Sequence, residues 1–261
     1  SEQVANFNRN NLISFIKEHY RPERMILSAA GAVDHGSIVK FAEKTFGTLT
    51  NSSDFSEFAT ANFHSGDCRK RKNLEQAHFA LAFESPGYRD NSIYTSQIYS
   101  IALGGGMSSR LFQEIRENRG LCYNIFAQAA AFCDTGMTTI YAGTSSEKLP
   151  QLMELTFDEI RRTAKDMSQV ELNRARAQMK AGMLMGLESA SNRAERLARM
   201  IQIWGFVPLI EDTVEKIESV SLRELRQFAE YAASTAPSAL ALYGPIQQAL
   251  SLADIKARRA A

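Results

Sequence analysis

Cysteine is scarce. Cys68, Cys122 and Cys133 are odd in number and show no paired spacing. That excludes a disulfide framework and a zinc knuckle, and fits a reducing compartment. The four histidines, His19, His35, His64 and His78, have no ligand-spaced partner, and neither H-E-x-x-H nor H-x-x-E-H occurs. A helical zinc pair is therefore absent from this sequence. There is no G-x-S-x-G nucleophile elbow, and the glycine run at 104–106 lacks the Gly-Lys-Ser/Thr of a phosphate loop. No apolar run approaches the roughly 20 residues of a membrane helix, and no secretory signal pattern is visible. Charge of either sign is not in excess: 30 Lys+Arg face 29 Asp+Glu, a net +1. That removes any electrostatic reason to expect nucleic acid or an anionic membrane as partner. The one sharp basic cluster, Arg69-Lys70-Arg71-Lys72, reads as part of a solvated linker.

What is present suits a globular protein. With 261 residues and 44% hydrophobic content the chain can bury a core, as one large domain or two small ones. It opens Ser-Glu-Gln and not with methionine, which fits a preceding segment. The first stretch reads helix, strand, helix. Asn8 or Asn10 caps a helix carrying Leu12, Phe15 and Ile16, and Met25 to Ala30 is a short apolar strand. Asp34 caps a helix ended by Gly47. Residues 1–50 are too few for a domain and resemble the end of one. Residues 51–75 are polar and read as a linker. Residues 76–250 form a second, complete domain, and 251–261 a tail.

The rest is organised around Leu103 to Thr144. Gly104, Gly105 and Gly106 open it, as a helix entrance or as a mobile gate where backbone approaches a ligand. A short helix with Leu111, Phe112 and Ile115 on one face follows, stopped by Gly120. Two strands come next, folded at Asp134-Thr135-Gly136. Arg116 lies on the last turn of the helix and Tyr123 at the start of the strand. A cation and a phenol on two rigid elements across a glycine corner can grip one backbone carbonyl. On the residues alone, Arg116 pairing with Glu117 or Asp134 and Tyr123 packing on the sheet is the favoured reading of both residues. The Asp-Thr-Gly triplet occurs at aspartic-protease sites, but those need two copies sharing a proton. A single copy where Asp-Gly makes a turn is read as a hairpin.

Beyond Thr144 the sequence is helical. Ser168-Gln169-Val170-Glu171 and Ser221-Leu222-Arg223-Glu224 are capping boxes. Leu172, Ala175, Met179, Met183 and Leu187 form a core stripe. Gly182 and Gly186 suggest close approach to a sheet, Ser189 to Asn192 breaks the helix, and Pro208 opens another. Ala239 to Tyr243 is a closing strand. Strands in runs with long helices predict an α+β two-layer sandwich, with helices on one face of a mostly antiparallel sheet.

GGGMSSRLFQEIRENRGLCY, then DTGM and YAGT, then LNRARAQMKAGMLMGLESASNRAERLAR, resemble the second domain of pitrilysin-type zinc peptidases. These include the mitochondrial processing peptidases and bacterial single-chain zinc proteases. YRPERMILSAAGAVDHGSIVKFAEKTFG resembles the end of that family's first domain. The resemblance covers essentially the whole chain and implies a processing-peptidase-like metallohydrolase domain.

It also implies a function. In such enzymes the first domain carries H-x-x-E-H and a further Glu for zinc, and the second supplies an Arg and a Tyr. The seven-residue spacing of that pair places them at Arg116 and Tyr123. Their implied role is to stabilise the oxyanion formed at the peptide carbonyl. Gly104, Gly105, Gly106, Ser108 and Ser109 are the implied substrate-binding loop, which is short, as in the catalytic or bacterial type. The implied cofactor is zinc in the full-length metalloendopeptidase, with no metal ligand in this chain, which alone should be inactive. The implied partners are a peptide or unfolded-protein substrate, the N-terminal peptidase domain, and a second subunit in a homo- or heterodimer. Neither nucleic acid nor a membrane span is expected. The expected location is the bacterial cytoplasm, ahead of the mitochondrial matrix. The alternative is a non-catalytic structural or partner subunit of the same fold, like the core subunits of a respiratory complex.

Overall fold

A computed structural model describes residues 2–50, 59–251 and 254–255. Much of the expected linker (51–58) and most of the expected tail (252–253 and 256–261) lie outside the described residues. By packing, the chain divides into two compact units: residues 1–59 with 185–207, and residues 60–184 with 208–261.

In the first unit, a short turn joins helices α1 (Glu2–Ala5) and α2 (Arg9–His19), and a longer connection with a 3-10 turn at Pro22–Arg24 leads to α3 (His35–Phe46). Asn8 caps α2 by accepting from the backbone N–H groups of Asn10 and Asn11, and Asn11 answers with its own side chain. Asp34 caps α3 through Ser37. The expected strand at Met25–Ala30 does not form. A strand needs a neighbour to take its backbone groups, and no strand lies beside this one among the described residues. Helix α7 (Ala190–Trp204), capped by Ser189, belongs to the same unit.

The second unit is built on a five-stranded sheet, β1 (Gly66–Arg71), β2 (Ala77–Ser85), β3 (Cys122–Ala131), β4 (Gly136–Thr144) and β5 (Ser238–Gly244). The order is β1-β5-β2-β4-β3; only the β1–β5 pair is parallel. Alternation sets the faces. Ala77, Phe79, Leu81 and Phe83 of β2 point into the core, as do Ile140 and Ala142 of β4 and Leu240 and Leu242 of β5. Helices α4 (Ile93–Gly104), α5 (Leu149–Asp166) and α9 (Leu222–Glu230) pack on that face. Tyr99 sits at the centre, edge-on to Phe83 and Phe228 at 6.3 and 5.3 Å between ring centres. The α+β architecture is as the sequence predicts.

Strand β1 is the main difference. Residues 66–71 were read as linker, and instead they add an edge strand beside β5. Its charges hid it: an edge strand made of Asp, Arg and Lys shows no apolar alternation, and charge on an edge prevents pairing with other chains. Arg69 is held by Asp67 at 2.8 Å and donates to the Leu250 carbonyl. Two further readings shift. Helix α8 (Ile210–Ser219) begins two residues after Pro208. Gly182 and Gly186 lie on α6 (Gln169–Gly186), where an added Cβ would meet open space and not a sheet.

Both capping boxes form, at Ser168–Glu171 and Ser221–Glu224. Glu171 also receives two hydrogen bonds from Arg110, at 2.6 and 2.9 Å. Burial pushes the Glu171 carboxyl up, but the bonds from Arg110 and Ser168 outweigh it and hold the group at about 2. A carboxyl below its unfolded value adds stability that is complete above that value, near 4.5, and lost as pH falls toward the folded one. Denaturation between pH 5 and 2 should therefore show a falling stability, about 2 to 3 kcal/mol of it from this group. Glu171→Gln should lose that part of the slope. An unchanged slope in the variant would refute the assignment.

Candidate functional site

Two irregularities meet at the Gly120 corner. The helix after the glycine run is not a regular α-helix: residues 112–117 form a π turn, with the Asn118 N–H reaching the Gln113 carbonyl at 2.9 Å. Such turns insert one residue into a helix and re-aim the side chains after it, often at functional sites. Arg116 is on this turn. Gly120 then takes a left-handed conformation, φ +58°, that a side chain would disfavour. Its N–H bonds to the Arg116 carbonyl, and the Leu121 N–H to the Ile115 carbonyl, both at 3.0 Å. Lys148 Nζ holds the Gly120 carbonyl at 2.8 Å, and Thr144 Oγ1 the Leu121 carbonyl at 2.5 Å.

The second irregularity is in β3. Cys122 pairs with Thr144 and Asn124 with Gly143, so Tyr123 is the extra residue of a β-bulge. A bulge leaves one residue unpaired and turns its side chain outward. Tyr123 is accordingly 81% exposed, although its neighbours Cys122 and Ile125 face the core. The two irregular elements bring the predicted pair together. The Arg116 guanidinium carbon stands 5.2 Å from the centre of the Tyr123 ring and 4.4 Å from that of Phe112. A cation at these distances over an aromatic face is attracted by it.

The competing reading of the pair is weak in this geometry. The Arg116–Glu117 approach is 3.9 Å, at the limit of an ion pair. Asp134 accepts from the Ala61 N–H at 2.7 Å. The guanidinium is thus stacked and not strongly paired with a carboxylate, and the phenol is in open reach. Cys122 is no nucleophile here. Burial pushes its thiol up to about 11, against the opposing pull of Arg116 and Lys148.

Close approach of backbone requires glycine at 104 and 105, and a side-chain amide lies against Gly106. None of them has a positive φ. A Cβ on Gly104 would stand 2.4 Å from the Ala127 backbone nitrogen, so α4 ends directly against β3. One on Gly105 would meet the Ile101 backbone at 2.5 Å, and one on Gly106 the Gln178 amide at 3.2 Å. The backbone they bring close is the protein's own. Ser108 is exposed; Ser109 is buried and donates to the Gly106 carbonyl at 2.6 Å. Sequence reading missed Thr144 and Lys148, which hold the Gly120 corner, and Gln178 and the Arg110–Glu171 pairing, which hold the stretch after the glycine run. No local pattern marks them, because each acts across more than 20 positions of sequence.

Among the described residues, no group of three or more His, Cys, Asp or Glu side chains is placed to hold a metal ion. His78 is engaged by Tyr141, with Nδ1 and the hydroxyl 2.8 Å apart on the open face of the sheet.

Comparison with known proteins gives consistent results. The family model described as "Peptidase M16 inactive domain" matches residues 6–179. A protein named as an uncharacterized zinc protease of Rickettsia bellii (strain RML369-C) is 35% identical over 246 residues, covering 94% of this chain and 59% of that protein. The zinc protease YmxG of Bacillus subtilis (strain 168), also named uncharacterized, is 31% identical over 245 residues, with the same two coverages. This chain thus spans about three-fifths of the length of these relatives. The crystal structure of a protease from Helicobacter pylori superposes with a TM-score of 0.77 at 18% identity. It covers 93% of this chain and 60% of that one, a likeness of fold.

Proposed function

The chain belongs to the peptidase M16 family, and on that premise we propose that it is the C-terminal, substrate-binding part of a zinc-dependent endopeptidase. Residues 76–250, with strand β1 added at the sheet edge, are the substrate domain in this reading, and residues 1–50 complete the domain before it. The metal-binding segment lies in the part of the relatives' length that this chain does not span. The observation that carries the reading is the stacking of Arg116 on Tyr123 at a π turn and a β-bulge.

The chemistry follows from the two side chains. A peptide carbonyl under attack develops negative charge on its oxygen. Donors already aimed at that oxygen lower the barrier, because nothing must reorganise as the charge appears. Arg116 brings a permanent cation with a planar set of N–H donors. Tyr123 brings an O–H held outward by the bulge. Gly106 and Ser108 form the rim that the peptide backbone meets, and Gly104, Gly105 and Ser109 shape it. Zinc in such an enzyme supplies activated water. The described residues do not fit that metal, so its ligands and the base are assigned to the other segment.

The relatives are bacterial, and no helix among the described residues is long and apolar enough to cross a membrane. We place the enzyme in the cytoplasm, acting on peptides or unfolded protein, with the zinc-bearing domain as obligatory partner and a second subunit as a further one.

Purification of this chain alone and joined to the zinc-bearing segment tests the reading. After dialysis the chain alone should carry no stoichiometric zinc and leave a fluorogenic peptide intact. The joined protein should hold about one zinc and cleave the peptide until a chelator is added. Chelator-resistant cleavage by the chain alone would overturn the proposal and return Asp134 to consideration. A zinc-loaded joined protein inert toward unstructured peptides would favour the non-catalytic scaffold reading.

A further inference from the structure

The stretch from Gly105 to Arg110 is fastened at both ends by one helix. Glu171 and Gln178 of α6 are seven residues apart, two turns and about 10 Å along the axis, so they share a face. Glu171 grips Arg110 at the far end. Gln178 Nε2 donates to the Gly105 carbonyl at 2.7 Å. The missing side chain of Gly106 makes the seat for this amide, since a Cβ there would stand 3.2 Å from Nε2 and 3.8 Å from Oε1. Between the anchors, Ser109 Oγ takes the Gly106 carbonyl and Gln113 Nε2 the Met107 carbonyl, each at 2.6 Å. Three consecutive loop carbonyls are therefore each held by a side chain. Gln178 itself is exposed on α6. A hydrogen bond from an exposed side chain makes a modest net contribution, and here that contribution falls on the shape of the loop and not on the core.

We propose that Gln178 is a positioning residue for peptide binding: it clasps the glycine loop in the one shape that the peptide backbone meets. Its hydrogen bond goes to the Gly105 carbonyl and not to Arg116 or Tyr123, so its effect falls on binding and not on the polarised carbonyl. A loop freed of the clasp must be ordered when the peptide binds, and that ordering weakens affinity. The inference rests on the function proposed above, but its first readout does not.

Gln178→Glu is nearly isosteric and cannot donate, whereas Gln178→Lys keeps a donor. Gly106→Ala places a methyl in the seat. Amide hydrogen exchange on the 261-residue chain reads the loop directly. Gln178→Glu and Gly106→Ala should exchange about three- to tenfold faster over residues 105–109, with the β2 and β4 amides unchanged, and Gln178→Lys should stay near wild type. In the joined, zinc-loaded protein the first two should raise KM about three- to tenfold with kcat within about twofold. Unchanged loop exchange in Gln178→Glu would overturn the clasp. Faster exchange with unaltered KM, or a fall in kcat at constant KM, would overturn its role in peptide binding. If the wild-type joined protein cleaves nothing, the proposed function fails, and the exchange result still decides whether Gln178 holds the loop.

Discussion

Replacing Tyr123 with phenylalanine in the zinc-bearing enzyme should lower kcat about 10- to 100-fold while leaving the fold intact. One oxyanion donor is worth on the order of 10²–10³ in other hydrolases. The smaller figure is expected here because Arg116 stands over the same ring and shares the charge. Only the hydroxyl is removed, from a ring that is 81% exposed, so the melting temperature should move little. Arg116→Ala should raise KM as well as lower kcat, since it deletes the cation proposed to hold the carbonyl and the group that stacks on Tyr123. Arg116→Lys should rescue it poorly, because an ammonium restores the charge without the planar donor set. Steady-state kinetics beside melting curves decide the matter. Near-wild-type kinetics with a collapsed melting temperature would mean that the pair serves the fold.

The largest effect on stability should come from Arg110. Its side chain is 12% exposed and is shared among Glu171, Asp166 and the Asp166 carbonyl. Arg110→Met should cost about 3 to 5 kcal/mol, because it leaves the largely buried Glu171 charge without its partner. At roughly 2 to 4 °C per kcal/mol for a chain of this size, the midpoint should fall by about 10 °C. The double variant Arg110→Met/Glu171→Leu should recover much of that loss, since removing both charges leaves neither stranded. Thermal and urea unfolding of the three variants measures this. Losses below about 1 kcal/mol for Arg110→Met would mean that the network is solvated, like most surface ion pairs.

Much of this was legible in the sequence wherever the signal was local. Asn8, Asp34, Ser168 and Ser221 cap helices because a cap is written within three residues. The Asp134–Gly136 hairpin is likewise a local pattern, and its Phe132 N–H meets the Thr135 carbonyl at 2.7 Å. Strand β1 was lost because its charges answer to its place at the sheet edge and not to a buried face. Met25–Ala30 has strand composition but no neighbour to pair with among the described residues, and composition alone cannot supply one. The Arg116–Tyr123 approach depends on a π turn and a bulge, each one extra residue in a regular element. Spacing counts those residues without revealing where they distort the backbone. The glycine run was legible as close approach, but its object was β3, α4 and Gln178, contacts that only the folded chain displays.

The central claim is that a peptide carbonyl meets the Arg116–Tyr123 corner. The most direct test puts a photoreactive benzoylphenylalanine at position 123 of the joined protein, stops cleavage with a chelator, and irradiates the protein with the peptide bound. The label should be found by mass spectrometry on the peptide within a residue or two of the bond that the wild-type enzyme cuts. A peptide that binds and is cleaved normally by the wild type, yet never cross-links from position 123, would contradict the account.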